Sequence, residues 1–515
     1  MAEQRKRSRP SRSRAHPARR AHPARRADPA RRAAYDVLRA VADRDAYANL
    51  LLPALLSERG LTGRDAAFAT ELTYGTLRGR GTYDAILAAC SDRDQLDPPV
   101  RDVLRLGAHQ LLATRVGRHA AVATSVDLAK DVCGPRPSGF VNAVLRRVAT
   151  RDLEAWVRVV APDRSQDPSG YLAVRYSYPR WITEAIRDAL GEAAPAEVED
   201  ALAAGNVRPA VVLALYPAPD ADAPLAPDAP LAPDAGPAGR LPDGERTRWS
   251  PYGFRLAGGD PAPLVASGRA AVQDEASQLA ALALSRAALA GDRDRLWLDL
   301  CAGPGGKARL LSGLAADRGA RLIASDIRLH RARRVLAALH PAGHDHAGHD
   351  HAGPGCAVIV ADGRRVPWPS GTFDRVLADV PCSGLGSLRR RPEARWRKTA
   401  ADVEELTALQ RELLNAAVDS ARLGGVVAYV TCSPHLAETG QVVTAVVQSR
   451  DDVTTLDAPA LLPEVPALRA PEPADPRFAQ FWPHRHGTDA IFLALLLRSG
   501  LLGSGLLRPG LLRSG

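Results

Sequence analysis

Cysteine is scarce in this chain of 515 residues: six are present (Cys90, Cys133, Cys301, Cys356, Cys382 and Cys432), scattered and without a C-x-x-C pair. Such spacing supplies neither a disulfide framework nor a zinc knuckle, so reduced thiols and no bound metal are expected. Long apolar runs are missing too. None approaches the ~20 residues that span a bilayer, and the basic, Pro-rich N-terminus lacks the apolar centre of a signal peptide. A cytoplasmic protein with no membrane partner is therefore expected. Excess charge is absent from most of the chain. Residues 1–32 hold twelve Lys and Arg against Glu3 and Asp28, which accounts for the whole formal charge of +10 and leaves the remainder neutral. The arm offers sequence-independent, salt-sensitive attraction to phosphate, and any specific nucleic-acid contact must come from local patches.

What is present is ordinary globular material, 46% hydrophobic and 24% charged, in a chain long enough for several domains. Residues 1–32 contain three tandem copies of one unit (Ala15–Arg20, Ala21–Arg26, Ala27–Arg32), whose repeated Pro and paired Arg predict a disordered basic arm. From 33 to 150 the apolar spacing is helical throughout: Ala34, Val37, Leu38 and Val41 mark one face, and Val100, Val103, Leu104 and Leu106 another. Asp65 and Thr82 stand where N-caps would. An all-α domain is expected there. Residues 160–270 combine a short helix near 182–190 with an apolar strand at 210–216 and a Pro-rich insert (Ala223–Asp234), which suggests a small α+β module. The segment Gly343–His351 carries four His and two Asp. It duplicates one HDHAG unit between a helix and a strand, so an expanded solvent loop accounts for it better than a metal site. A repetitive tail, 499–515, is expected to be disordered.

The most informative stretch is Leu296–Lys307. An apolar run ends in Asp299 and passes into Cys301-Ala302-Gly303-Pro304-Gly305-Gly306-Lys307, followed by a helical pattern. That order predicts the first strand, turn and helix of a nucleotide-binding α/β sheet. A second strand ends at Asp326, about twenty residues on, where a ribose hydroxyl needs an acceptor. Cys301 and Ala308 occupy the places where a P-loop requires Gly and Ser or Thr, which excludes that ligand class. A dinucleotide such as NAD remains open, because the fingerprint tolerates Ala308. S-adenosylmethionine fits better: it has no phosphate, and an acid at the strand end suits its cationic methionine portion.

Two further apolar strands, Phe373–Val380 and Gly425–Val430, run into Pro381-Cys382-Ser383-Gly384 and Thr431-Cys432-Ser433-Pro434. In a parallel sheet all strand C-termini share one rim, so both thiols should face the crevice that holds the glycine turn. Each cysteine alone is more often a small buried hydrophobe. Two at equivalent strand ends, beside a methyl donor and with Asp379 nearby, suit methylation of pyrimidine carbon 5. Thiolate addition at carbon 6 makes that carbon nucleophilic, and a base then removes its proton.

These residues, with Arg390–Trp396 and Pro483–Asp489, resemble the RNA cytosine-C5 methyltransferases of the RsmB/Sun type. Ala33–Leu38, Glu71–Arg78 and Phe140–Arg147 resemble the NusB-type RNA-binding fold. Together they imply a Rossmann-like class I methyltransferase domain at 271–498, preceded by the NusB-like domain and the α+β module, with S-adenosylmethionine as cofactor and 16S rRNA as partner. A monomer is expected. By resemblance Cys301 to Lys307 line the cofactor, Asp326 binds its ribose, Asp362 sits near adenine, and Asp379 lies between the methionine end and the base. The same resemblance makes Cys432 the nucleophile and Cys382 the group that assists product release, an order that spacing does not settle. This sequence departs from the family at Ala308, at Gly303, and at His435-Leu436-Ala437. The run Arg389, Arg390, Arg391, Arg395, Arg397 and Lys398, with Trp396 inside it, is expected to grip flanking RNA. A tRNA methyltransferase with the same core, and an RNA-binding assembly factor with an inherited pocket, are the competing readings.

Overall fold

The computed structural model describes residues 27–216, 241–340, 355–472 and 474–500. Most of the basic arm, the Pro-rich insert, the His-rich loop and nearly all of the tail lie outside the described residues. The chain divides into two compact units, one of Met1–Arg44, Leu52–Thr76 and Leu87–Leu153, the other of Asp45–Leu51, Leu77–Ile86 and Glu154–Gly515.

The first unit is helical. Its opening helix, Pro29–Asp43, begins inside the third repeat that the sequence assigns to a disordered arm. Asp28 caps it by accepting from the Arg31 N–H (3.0 Å), and Pro29 occupies a first-turn position where its missing N–H costs nothing. Ala33, Ala34, Val37, Leu38 and Val41 are then buried, the face that the periodicity indicates. The helices Pro98–Ala113, Arg118–Cys133 and Ser138–Val148 complete the core. Neither expected cap is one: Asp65 lies within the first turn of helix Gly63–Arg78, and Thr82 lies within helix Arg80–Cys90.

In the second unit, four short strands make an antiparallel sheet: β1 (Val212–Leu215), β2 (Gly244–Arg246), β3 (Gly253–Leu256) and β4 (Ala270–Val272), in the order β2-β3-β1-β4. Leu213, Leu215, Leu241, Phe254 and Leu264 bury its apolar face.

The larger sheet contains β5 (Leu296–Asp299), β6 (Arg321–Asp326), β7 (Cys356–Val360), β8 (Phe373–Asp379), β9 (Ala421–Thr431), β10 (Val453–Leu456), β11 (Ala479–Gln480) and β12 (Phe492–Arg498). Its order is β10-β12-β9-β8-β5-β6-β7, with β11 pairing β12. The five strands from β7 to β9 are parallel, and β12 enters antiparallel between β9 and β10. Helices cover both faces, which is why β5, β8 and β9 read as continuous apolar runs rather than alternating ones. Trp297, Leu310, Leu311 and Leu495 pack on one side, and Phe373, Leu414, Val418 and Tyr429 on the other. The order reverses between β5 and β8, since β6 and β7 lie to one side and β8 and β9 to the other. Ligands of such sheets bind at that reversal, beyond the strand C-termini.

Candidate active site

The glycine turn leaves β5 at this reversal. Ala302 N–H donates to Ser325 O (2.8 Å), and Gly303 N–H donates to Asp326 Oδ2 (3.2 Å), so the turn is pinned to the end of β6. A Cβ at position 303 would stand 2.4 Å from that same Asp326 oxygen, so a larger residue would push the turn away from the end of β6. Gly305 has φ +116°, a left-handed value that other residues rarely adopt, and a Cβ on it would come within 2.8 Å of Ala338. Helix Gly306–Ala316 follows with no side chain capping its N-terminus. Asp326 is buried and also accepts from Arg328 N–H (2.9 Å), with the Arg331 guanidinium 3.4 Å away. Asp362, beyond β7, is held by Arg364, whose hydrogen bonds keep its carboxyl well below the ordinary range.

Three ionisable groups, Asp299, Lys307 and Asp379, line the floor. Asp299 is completely buried and has no side-chain partner. Burial, reinforced by neighbouring Asp379 and partly offset by Lys307, pushes its carboxyl up to about 8. Lys307 Nζ bonds Asp379 Oδ2 at 2.9 Å. Burial opposes the ammonium charge, but Asp379 outweighs it and holds Lys307 above its usual value. Cys301 is pushed up by burial and by the acids around it, which leaves it an inert thiol in the pocket wall.

A raised folded-state value for Asp299 means that the folded protein keeps a proton which the unfolded chain releases near pH ~4. The stability gained is therefore full below about pH 4 and is lost as pH rises through about 8. Asp299→Asn cannot ionise, so it should be the more stable protein at pH 8.5 by roughly 1–4 kcal/mol and nearly equal to wild type at pH 4. Urea unfolding at the two pH values measures this; a difference that does not change with pH would remove the buried, protonated Asp299 from the account.

The loops after β8 and β9 meet beside this floor. Cys382 Sγ and Cys432 Sγ are 3.2 Å apart. Cys432 is the lowered thiol of the pair, because the hydrogen bond it shares with Cys382, helped by the Lys307 ammonium, outweighs the burial and the Asp379 charge that oppose its thiolate. Cys382 is raised by its donation to Cys432 and by burial. The loops are fastened together: Val380 N–H donates to Val430 O (3.1 Å), Gly386 N–H to Cys432 O (2.9 Å), and the hydroxyls of Ser383 and Ser433 are 3.2 Å apart.

Glu438, which the sequence reading passed over, is the clasp. It is wholly buried, accepts from Ser383 N–H (2.7 Å), from the Ser383 hydroxyl and from Gln410 Nε2 (3.1 Å), and its own carbonyl accepts from Tyr429 O–H (2.8 Å). Nothing in one sequence distinguishes it from a solvated acid. Glu438→Ala strands the Ser383 and Gln410 donors and should destabilise the protein by about 2–3 kcal/mol, while Glu438→Gln keeps part of the network. Denaturant unfolding checks the ranking, and equal stability of the Ala variant and wild type would show that the clasp is dispensable.

The expected RNA-gripping patch is corrected by the structure. Arg389 and Arg390 both bind Asp489 and Asp274, which lie far away in sequence, at distances of 2.5–3.1 Å. Arg395 is fully buried against Tyr178. These guanidiniums brace the segment after Cys382, with Arg389 and Arg395 buried and Arg390 partly exposed. Arg391 is the exposed member, and it and Arg397 lie over the Tyr47 ring at 5.4 and 5.1 Å.

Among the described residues no group of His, Cys, Asp and Glu is arranged to hold a metal ion, and no helix is long and apolar enough to cross a membrane.

A parallel sheet with one inserted antiparallel strand, a glycine turn at its reversal and acids at successive strand ends define a Rossmann-like methyltransferase domain. Comparison with known proteins agrees. Residues 286–497 match the family described as 16S rRNA methyltransferase RsmB/F, and residues 28–150 match the NusB family. A Mycobacterium tuberculosis protein, named as a methyltransferase with no stated substrate, is 49% identical over 471 residues, 90% of this chain and 96% of that one. The ribosomal RNA small subunit methyltransferase B of Sodalis glossinidius is 31% identical over 446 residues, 85% of this chain and 94% of its own. The crystal structure of PH0851 shares the fold, with a TM-score of 0.67 at 19% identity, covering 91% of this chain and 98% of that one. The chain belongs to the RsmB/F family of 16S rRNA methyltransferases.

Proposed function

We propose that this protein methylates carbon 5 of a cytosine in 16S rRNA, with S-adenosylmethionine as cofactor and Cys432 as the covalent nucleophile. The observation that carries the reading is the thiol pair: two cysteines 3.2 Å apart at adjacent strand ends, beside the Lys307–Asp379 ion pair whose ammonium favours the thiolate of Cys432. A lowered thiol is the attacking species, and a raised one beside it stays protonated and able to exchange a proton.

The pocket suits the cofactor: Asp299 is an unpartnered buried acid, Asp326 at the end of β6 would accept from the ribose hydroxyls, Asp362 beyond β7 would lie near adenine, and Cys301 to Lys307 form the turn. When bound, the sulfonium supplies an electrophilic methyl group. Asp379, held by Lys307 of the turn, would orient the base. The Cys432 thiolate would bond to carbon 6 and push the ring electrons to carbon 5, making that carbon nucleophilic towards the methyl group that the sulfonium would supply. Transfer of the carbon 5 proton to a water molecule would then let the C–H electrons restore the ring double bond as the Cys432–carbon 6 bond breaks and Cys432 leaves as a thiolate, a step that Cys382 would assist by relaying the proton.

The NusB-type segment favours 16S rRNA over tRNA as substrate. The test is transfer of labelled methyl from S-adenosylmethionine to 16S rRNA and tRNA transcripts by the purified protein. Label in 16S rRNA alone is expected. Label in tRNA alone overturns the substrate, and none in either makes the protein a binding factor.

A further inference from the structure

Tyr47 has no part in the account so far. Its ring is 43% exposed, yet the chain that carries it is pinned on both sides. Ala46, before it, accepts through its carbonyl from Arg397 Nη2–H (2.6 Å), and Ala48, after it, donates its N–H to Glu393 Oε1 (3.1 Å). The Tyr47 carbonyl accepts from Leu50 N–H (3.1 Å) and Leu51 N–H (3.0 Å), which starts the helix Ala48–Glu58. Asp45–Leu51 and the segment after Cys382 belong to the same compact unit, so these bonds hold the ring within one body.

A single exposed tyrosine is ordinary; the charges around this one are not. The Arg391 and Arg397 guanidiniums lie 5.4 and 5.1 Å from its ring centroid. Arg397 is engaged, since it bonds Ala46 O and stands 3.7 Å from Asp45. Arg391 is exposed and has no acid partner among the described residues. Its backbone is braced all the same: Arg389 and Arg390 are tied to Asp274 and Asp489 on one side, and Pro392 and Glu393 are buried on the other. Gly386 N–H, bonded to Cys432 O (2.9 Å), fastens this same segment to the loop of the proposed nucleophile. Arg391 follows Cys382 by nine residues, at most about 30 Å of extended chain, so whatever it holds lies close to the target base. A free guanidinium against an exposed aromatic ring, both on a fixed backbone, matches one nucleotide of unpaired RNA, which offers a flat base to stack and a phosphate to pair. Leu50, exposed one helical turn on, would suit a protein partner, but such a partner gives the uncompensated guanidinium no counter-charge.

We propose that Tyr47 and Arg391 form a platform for the RNA strand flanking the target base: one unpaired base stacks on the exposed surface of the ring and guanidinium, and a neighbouring phosphate pairs with Arg391. This rests on the 16S rRNA reading above. Neither contact distinguishes one base from another, so the platform positions the strand and does not choose the target.

Filter binding of the full chain to a 16S rRNA transcript over a range of salt, with methyl-transfer kinetics on the same transcript, tests this. Tyr47→Ala should weaken binding about fivefold or more, and Tyr47→Phe, which keeps the ring, should bind as wild type does. Arg391→Gln should weaken binding and flatten the slope of log affinity against log salt by about 0.7, the share of one phosphate on a single strand. Both losses should appear in KM for the RNA rather than in kcat, with S-adenosylhomocysteine affinity and denaturant unfolding unchanged, a pattern that a merely structural role does not give. Wild-type affinity and salt slope in Tyr47→Ala and Arg391→Gln would overturn the platform and leave a protein as the occupant of this surface. A loss in Tyr47→Phe equal to that in Tyr47→Ala would overturn stacking as its basis. Wild-type protein that neither binds nor methylates 16S rRNA would instead remove the substrate reading on which the platform rests.

Discussion

Cys382→Ala should trap the protein on its RNA, giving a slow-migrating band on a denaturing gel that Cys432→Ala and the double variant both lack. The expectation follows from where each thiol stands. Cys432 is the lowered thiol, facing Lys307, so its removal abolishes the bond on which every later step depends. Cys382 is raised by the hydrogen bond it shares with Cys432 and by burial, and on the proposed reading it assists once the methyl has moved. Without it, attack and methyl transfer proceed and elimination stalls. Turnover should fall by several orders of magnitude in both single variants, the scale on which removal of a nucleophile acts. A band with Cys432→Ala instead would exchange the two roles.

Arg395→Ala should destabilise the protein by about 3–5 kcal/mol while the folded fraction keeps its affinity for RNA. The guanidinium has no solvent exposure. It donates to Arg78 O (3.3 Å), Ser177 O (3.2 Å), Tyr178 O–H (2.9 Å) and Gly205 O (2.9 Å), and it stacks 3.7 Å from the Tyr178 ring centroid. Truncation leaves four acceptors short of a donor and a cavity beside the ring. Arg395→Lys should recover little, because an ammonium cannot span acceptors arranged for a planar fork. Denaturant unfolding paired with RNA titration separates the two effects; weakened RNA binding at unchanged stability would restore the solvent-facing role that the run of arginines suggests.

That run shows where sequence reading fails. Six cations around one tryptophan look like a phosphate grip because the acids that neutralise Arg389 and Arg390 lie elsewhere, at Asp274 and Asp489. Only the fold brings them together. Glu438 was invisible for the same reason: it is a lone acid in a loop, and its burial is tertiary. The third copy of the basic repeat misled in another way, since Asp28 and Pro29 are helix-starting residues within a repeat whose other copies place His in the position of Asp28. The glycine turn, Asp326 and the paired cysteines were legible because their meaning is local. Strand ends and glycine spacing fix which residues share the rim of a parallel sheet, so apolar runs ending in Asp299, Asp379 and Thr431 located the crevice before any coordinate did.

The central claim is the carbon atom that receives the methyl group. Digestion of 16S rRNA methylated by the purified protein, followed by chromatography and mass spectrometry of the nucleosides, reads it directly. The account requires the added methyl to run as 5-methylcytidine, with none formed by Cys432→Ala; methyl recovered on the exocyclic nitrogen of cytidine or on a ribose 2′ oxygen would contradict it.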